Sequence, residues 1–324
     1  MNTLVSRATQ TWSFDGLAKV LQRGVVPALG LLLFVFLWHV MAGAVNTSLG
    51  KFPGPVEVLE QSQALYAEHV EVQEKKARFY ERQEERNAKK LAKNPEATLK
   101  WRDYTGKPSY ADQIATSLKT VLFGFILASL IAVPIGVMCG LSETAYQAMN
   151  PVIQILKPVS PLAWLPLVTM LVSALYTSED PLFEKSFLTS GFTVALCCLW
   201  PTVINTTVGV AGIDKDLVNV GRVIRLSAWT NVRKIVLPAS IPMIFTGLRL
   251  SLATGWMVLI AAEMLAQNPG LGKFVWDEFQ NGSSNSLARI MVAVLTIGLI
   301  GFLLDRIMLL IQQRVNRNDT TVLR

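Results

Sequence analysis

The chain has 324 residues, 51% of them hydrophobic and only 16% charged, with a mean hydropathy of +0.39. Those values exclude an ordinary soluble domain and a disordered chain, and they fit a polytopic membrane protein. The formal charge of +7 would invite nucleic acid in a soluble chain. Here the excess flanks apolar runs, where the positive-inside bias accounts for it, and no nucleic-acid partner is expected.

Residues 1–24 are too polar to span a bilayer. The run 25–45 is too long for a signal-peptide core and lacks a convincing small-residue cleavage site, so it reads as an uncleaved first transmembrane helix. A helix needs ~20 apolar residues to cross a hydrocarbon core of ~30 Å. Further runs of that order lie near 113–140, 148–176, 187–209, 241–266 and 288–312. Pro158, Pro161 and Pro166 interrupt the third span and Pro201 the fourth. Such breaks are tolerated where neighbouring helices satisfy the freed backbone groups, which places both in the bundle interior. Cys139, Cys197 and Cys198 all fall in apolar runs and read as small packing residues rather than a disulfide framework.

Sidedness follows from the basic residues. With the N-terminus inside, eleven Lys or Arg fall in 1–24, the 210–240 loop and the 313–324 tail, against two in the short outer loops. Both termini are then cytoplasmic. Residues 46–112 become an extracytoplasmic insertion; within 51–110 there are 12 Lys or Arg and 10 Asp or Glu. The stretch 56–93 has neither Gly nor Pro and predicts one long helix or a helical hairpin. Val56, Leu59, Tyr66, Val70, Ala77 and Tyr80 recur at three, four or seven residues and define its apolar stripe. A solvated charged helix and a docking surface both suit such a segment.

Between the fourth and fifth spans lies a basic polar loop, Asp214 to Pro242, with Lys215, Arg222, Arg225, Arg233 and Lys234. Short basic loops stay cytoplasmic, and one this long and helix-prone suits contact with a soluble partner. It ends in Ile235-Val236-Leu237-Pro238. This pattern resembles the EAA loop of ABC-importer permeases, in which Glu-Ala-Ala, a Gly six residues after the Glu, and I-x-L-P follow at fixed spacing. Ile235, Leu237 and Pro238 match; Asn219, Val220 and Gly221 occupy the Glu-Ala-Ala positions and Arg225 the Gly position.

Other segments carry the same resemblance. They are Ser117 to Gly136, Pro161-Leu162-Ala163-Trp164-Leu165-Pro166, Thr246 to Arg249, and Trp256 with Ala261 to Leu265. Gly270-Leu271-Gly272 and Gly301 to Arg306 look most like nitrate-type members of the nitrate, sulfonate and taurine branch. The resemblance implies an all-α type I ABC-importer permease with about six transmembrane helices, its five-helix core spanning 113–312, in a bacterial inner membrane. It implies a second permease copy, two cytoplasmic ATPase subunits and an extracytoplasmic solute-binding protein as partners, besides membrane lipid. The chain has no GxxxxGK[ST] phosphate loop, so ATP and Mg²⁺ are expected on the ATPase subunits and no cofactor or metal on this chain. The expected cargo is a small oxyanion, most simply nitrate or nitrite. Taurine, an alkanesulfonate, bicarbonate and cyanate are the alternatives on the same machine, and an ATP-independent channel or secondary transporter is the alternative of another class.

The resemblance implies that Asp216, Asn219, Val220, Gly221, Arg225, Ile235, Leu237 and Pro238 couple the permease to its ATPase, with Gly221 permitting close backbone approach. For the path, Arg249 stands out as a charge well inside the fifth span, where charges face a partner or a water-filled cavity. Its planar fork of donors suits a flat oxyanion. A structural ion pair is the competing role. Trp164 and Trp256 are candidates to narrow the conduit. Glu263 is the fourth candidate for the path; it and Asp305 are the intramembrane carboxylates, expected near helix ends where solvation costs little, and Ser251 reads as helix packing.

Overall fold

The computed structural model describes residues 14–47, 50–94, 99, 101–177 and 182–319. Arg7 and Arg324, counted above toward sidedness, lie outside them. The chain opens with α1 (Phe14–Ala44) and a two-residue-per-strand hairpin, β1 (Asn46–Thr47) and β2 (Gly50–Lys51). Helices α2 (Pro55–Lys93), α3 (Tyr110–Leu141), α4 (Glu143–Leu156), α5 (Pro161–Leu175) and α6 (Lys185–Ala211) follow. Then come α7 (Lys215–Val223), α8 (Ala228–Asn231), a π-helical turn (Val232–Val236), α9 (Leu237–Ala266), α10 (Leu271–Asn281) and α11 (Ser286–Asp319).

Among the described residues, five segments are long and apolar enough to cross a membrane: Gly24–Ala44, α3, α6, the continuous run Ala228–Ala266, and Ser286–Val315. The pair α4 and α5 makes a sixth if counted as one span, although the two are bent by 101°. At the centre lies α6, packed lengthwise against α3 and α9, with α11 beyond α9. Small residues allow this closeness. A Cβ on Gly136 would sit 2.5 Å from Thr206 Cβ, so α3 and α6 touch almost backbone to backbone. Ser251 on α9 stands within 2.6 Å of Thr202 Oγ1 and donates to Cys198 O, a polar clasp inside the apolar core.

The third span differs from the expectation of one interior helix. Pro158 and Pro161 lack N–H groups and hold Ser160 in the extended region (ψ 139°), so the chain turns and restarts with Ser160 Oγ accepting from Leu162 N. On α5 only Leu165, Val168 and Val172 are buried, while Leu167, Met170, Leu171 and Leu175 are exposed. Pro201 of the fourth span, by contrast, lies in α6, most of which is buried.

The insertion is one helix, not a hairpin of helices. Pro55 takes the first position, and Glu57 accepts from Gly54 N at 3.0 Å. Its inner face carries Val58 and Leu65 into a cluster with Phe274, Val292 and Ala293. Arg289 of α11 pins it there by binding both Glu68 and Glu278. The stripe read from periodicity is a correction: Val56, Leu59, Tyr66 and Val70 are 43–71% exposed. Periodicity finds an apolar face but cannot tell it from a neighbouring face that does the packing. Beyond the bundle the return segment lies along the helix. Gln83 exchanges hydrogen bonds with the Arg102 backbone at 3.2 and 3.3 Å, and Tyr104 N donates to Tyr80 Oη at 3.3 Å.

Candidate coupling loop and anion-path site

Helix α7 begins with an Asx turn, Asp214 Oδ1 accepting from Asp216 N at 2.9 Å. Asp216 and Asn219 are exposed, and with Val223 and Ile224 they line a shallow depression of about 340 Å³. Val220 lies on the same helix. Gly221 is buried against its own chain. A Cβ there would meet Asn231 Oδ1 at 2.7 Å and Ile235 Cδ1 at 3.0 Å. The close approach expected of Gly221 is therefore made by α8 and the π turn, which leaves no room for a partner on that side.

Arg225 ends the turn in the left-handed region, φ 49°. Glycine adopts that conformation without steric cost, which is a physical reason for the Gly at this place in the motif Arg225 departs from. Ser227 Oγ then accepts from Thr230 N to open α8. Leu237 N donates five residues back to Val232 O, making the π turn immediately before Pro238, which has no N–H to give. Ile235 and Leu237 are half-buried, and Leu237 packs with Val137, Val210 and Val236. Besides Asp216, Asn219, Arg225, Arg233 and Lys234, the loop presents large apolar side chains outward: Leu217, Val223, Ile224 and Trp229 are 48–81% exposed. Motif reading missed these four because the motif positions mark the turn and its support, not the side chains the folded loop exposes.

In the bundle, Arg249 grips Asp305 of α11 with two parallel bonds, Nε to Oδ1 at 2.5 Å and Nη2 to Oδ2 at 2.9 Å. Both side chains keep about a third of their surface exposed, 38% and 33%. Trp256, about two helical turns further on, is buried and donates its indole N–H to Ile297 O at 3.0 Å. Arg249, Asp305 and Trp256 share a cavity of about 220 Å³ with Met257, Gly301 and Leu304. Trp164 is half-buried on α5 against the same core, with its indole nitrogen buried and unpartnered among the described residues. A larger cavity, about 660 Å³ between α3, α5 and α6, is walled by apolar residues such as Leu127, Val168, Leu171 and Phe192, with Tyr176 the one lining side chain that carries a donor.

Glu263 corrects the expectation of cheap solvation near a helix end: it is 0% exposed. Ser117 Oγ lies 2.8 and 2.9 Å from its two oxygens, and Gly272 N donates to Oε2 at 2.9 Å. Leu271 N donates in turn to Ser117 Oγ at 2.8 Å. The carboxylate thus caps α10 and ties it to α3 and α9, favoured by the helix N-terminus. The partners were hidden because Ser117 lies 146 residues away in sequence. Gly270 and Gly272 flank the node, and a Cβ on Gly272 would collide with Ile260 O. Arg249, Trp256 and Asp305 are therefore together, while Glu263 forms a separate node.

Comparison with known proteins places this architecture. The chain is 31% identical over 290 residues to the nitrate import permease protein NrtB of Synechocystis sp., covering 89% of this chain and 88% of that one. To NrtB of Leptolyngbya laminosa it is 36% identical over 203 residues, 63% of this chain and 68% of the relative. The bicarbonate transport system permease protein CmpB of Synechococcus elongatus is 35% identical over 207 residues, 64% and 69% of the two chains. Among solved structures, an inward-facing form of the MetNI methionine ABC transporter matches with TM-score 0.55 at 12% identity, covering 64% of this chain and 95% of that chain. The profile of the binding-protein-dependent transport system inner membrane component matches residues 132–317. That match takes in the loop from Asp214 to Pro242, both halves of the Arg249–Asp305 pair and Glu263 with Gly272, and the chain belongs to this family, the permease subunits of ABC importers.

Proposed function

We propose that the chain imports a small planar oxyanion, nitrate first, as the membrane-embedded half of an ATP-driven transporter. The observation that carries the nitrate reading is the relative whose likeness runs through 89% of the chain at 31% identity. Bicarbonate is the second reading, favoured by the 35% identity to its permease over 207 residues; both ions are flat and singly charged. In this reading a second copy of the chain completes the conduit, and an extracytoplasmic protein delivers the ion. Both termini face the cytoplasm, in a bacterial inner membrane.

Two ATPase subunits would hold ATP and Mg²⁺ and receive the exposed face of α7 and α8. Asp216 and Asn219 rim that face, while Gly221, Arg225, Ile235, Leu237 and Pro238 shape it, with Val220 on the same helix. Its support is the cluster Leu217, Val223, Ile224 and Trp229, apolar and open to solvent in an otherwise basic loop. In the membrane, Arg249 turns two of its nitrogens to Asp305, which leaves Nη1 to serve a passing oxyanion, with Trp256 behind it and Trp164 across the core. Proteoliposomes holding the complete transporter, loaded with ATP, test the reading through uptake of nitrate and of bicarbonate. ATP-dependent nitrate uptake is expected; uptake of bicarbonate alone would select the second reading, and uptake of both without ATP would sink the reading altogether.

A further inference from the structure

Helix α2 divides by charge along its length. Residues 55–74 hold Glu57, Glu60, Glu68, Glu71 and Glu74 and no Lys or Arg, whereas 75–93 hold eight Lys or Arg against three Glu. The basic residues are also sorted around the axis. At about 100° per residue, Lys75, Arg78, Arg82, Arg86, Lys89 and Lys93 fall within an arc of about 80°, and Glu81, Glu84 and Glu85 fall outside it. All six are exposed. Lys75 is paired to Glu71 at 2.7 Å and Arg78 to Glu74 at 3.3 Å. Arg82, Arg86, Lys89 and Lys93 have no carboxylate partner among the described residues. Arg82 and Arg86 send Nε to the carbonyl one turn back, at 2.9 and 3.1 Å, which fixes their stems and turns the fork outward.

We propose that this basic stripe is a docking face for an acidic surface of the transporter's extracytoplasmic solute-binding protein. The proposal rests on the reading above that 46–112 lies outside and that such a protein is a partner. Three observations favour a soluble protein as occupant. First, the helix leaves the bundle: His69 stands 2.8 Å from Ser109 at the head of α3, and Lys93 lies ~36 Å further along the axis. From Arg78 outward its contacts are with the return segment, on the face of Phe79, Tyr80 and Gln83, which leaves the stripe bare. Second, the stripe runs ~27 Å from Lys75 to Lys93, comparable to the width of a patch of ~800 Å² that one partner buries in a specific interface. Third, the return segment beside the helix presents Trp101, 60% exposed, next to Arg102, and aromatic residues with Arg are the types enriched in such interfaces. Lipid is a poorer occupant, since α2 leaves the bundle and carries the stripe up to ~36 Å from the head of α3, whereas the pull of a charged bilayer surface falls off within a Debye length of ~10 Å. A second copy is poorer still, because the acidic half of its α2 is largely engaged within its own chain, Glu68 with Arg289, Glu71 with Lys75 and Glu74 with Arg78.

The test uses the permease complexed with its ATPase subunits in phosphatidylcholine nanodiscs, titrated with its own liganded binding protein while ATPase stimulation is read. In the paired reversals R82E/R86E and K89E/K93E the half-maximal concentration should rise by about tenfold, with a flatter dependence on salt. R82Q/R86Q should shift it less, and E81K/E84K on the other flank should not raise it. Stimulation recovered at saturating binding protein separates weakened docking from a misfolded complex. Reversals that keep the wild-type half-maximal concentration overturn the proposal. So does a shift that appears only when the nanodiscs contain anionic lipid, which would assign the stripe to the membrane. A wild-type complex that its binding protein does not stimulate sinks the partner reading itself, and the stripe's role with it.

Discussion

Arg249 sets an observed structural role against the proposed one in the path. Its bidentate grip on Asp305 makes removal of either partner worse than removal of both, because the survivor is left as an unpaired charge in a low-dielectric setting. R249Q and D305N should each lower the melting temperature of the purified complex, and the double variant should recover part of the loss, with a coupling of about 1–3 kcal/mol. Additive losses would show that the pair carries no structural weight. R249K keeps the charge but not the fork, so partial transport there, with none in R249Q, would assign the remaining Nη1 donors to the ion. Glu263 poses no such ambiguity, for every contact it makes is internal. Ser117→Ala removes both the donor to Glu263 and the acceptor of Leu271 N. It should cost about 1–3 kcal/mol, seen as a lower melting temperature; an unchanged melting curve would show that the node is dispensable.

Among elements, the coupling loop makes the sharpest demand. Gly221 is packed against Asn231 and Ile235, so Gly221→Leu should displace α7 and cut ATPase-driven transport severalfold. Gly221→Ala combined with Asn231→Ala should restore much of what Gly221→Ala alone loses. Failure of that rescue would mean that Gly221 faces the partner after all. The spans were legible in the sequence because hydropathy over ~20 residues is a local quantity. The bend between α4 and α5 was half-legible, since Pro158 and Pro161 mark a break but not its direction. What the sequence concealed is relational. Nothing local to Arg249 points to Asp305, 56 residues on, and nothing in the apolar spacing of α2 says that Val58 and Leu65, rather than Leu59 and Tyr66, face the bundle. The exposed cluster on α7 and α8 was hidden for a related reason: exposure is a property of the folded loop, not of its composition.

For the whole molecule, sidedness is the organising prediction. A cysteine replacing Ala88 should react with a membrane-impermeant thiol reagent in intact spheroplasts, and one replacing Lys234, exposed on the loop outside the apolar face, should react only after lysis. The opposite pattern would invert the topology and remove the coupling role with it. One further consequence is mechanical. The run Ala228–Ala266 crosses as a single helical span, without a loop to absorb motion, and Arg249 ties it to α11 near its midpoint. From that tie to the two ends is ~31 Å and ~26 Å at the helical rise. The helix then has the geometry of a first-class lever with its fulcrum inside the bilayer. A rocking of ~10° about the tie would carry the cytoplasmic end ~5 Å one way and the outer end ~4 Å the other, so the two faces of the membrane would be geared together with nearly equal and opposite strokes.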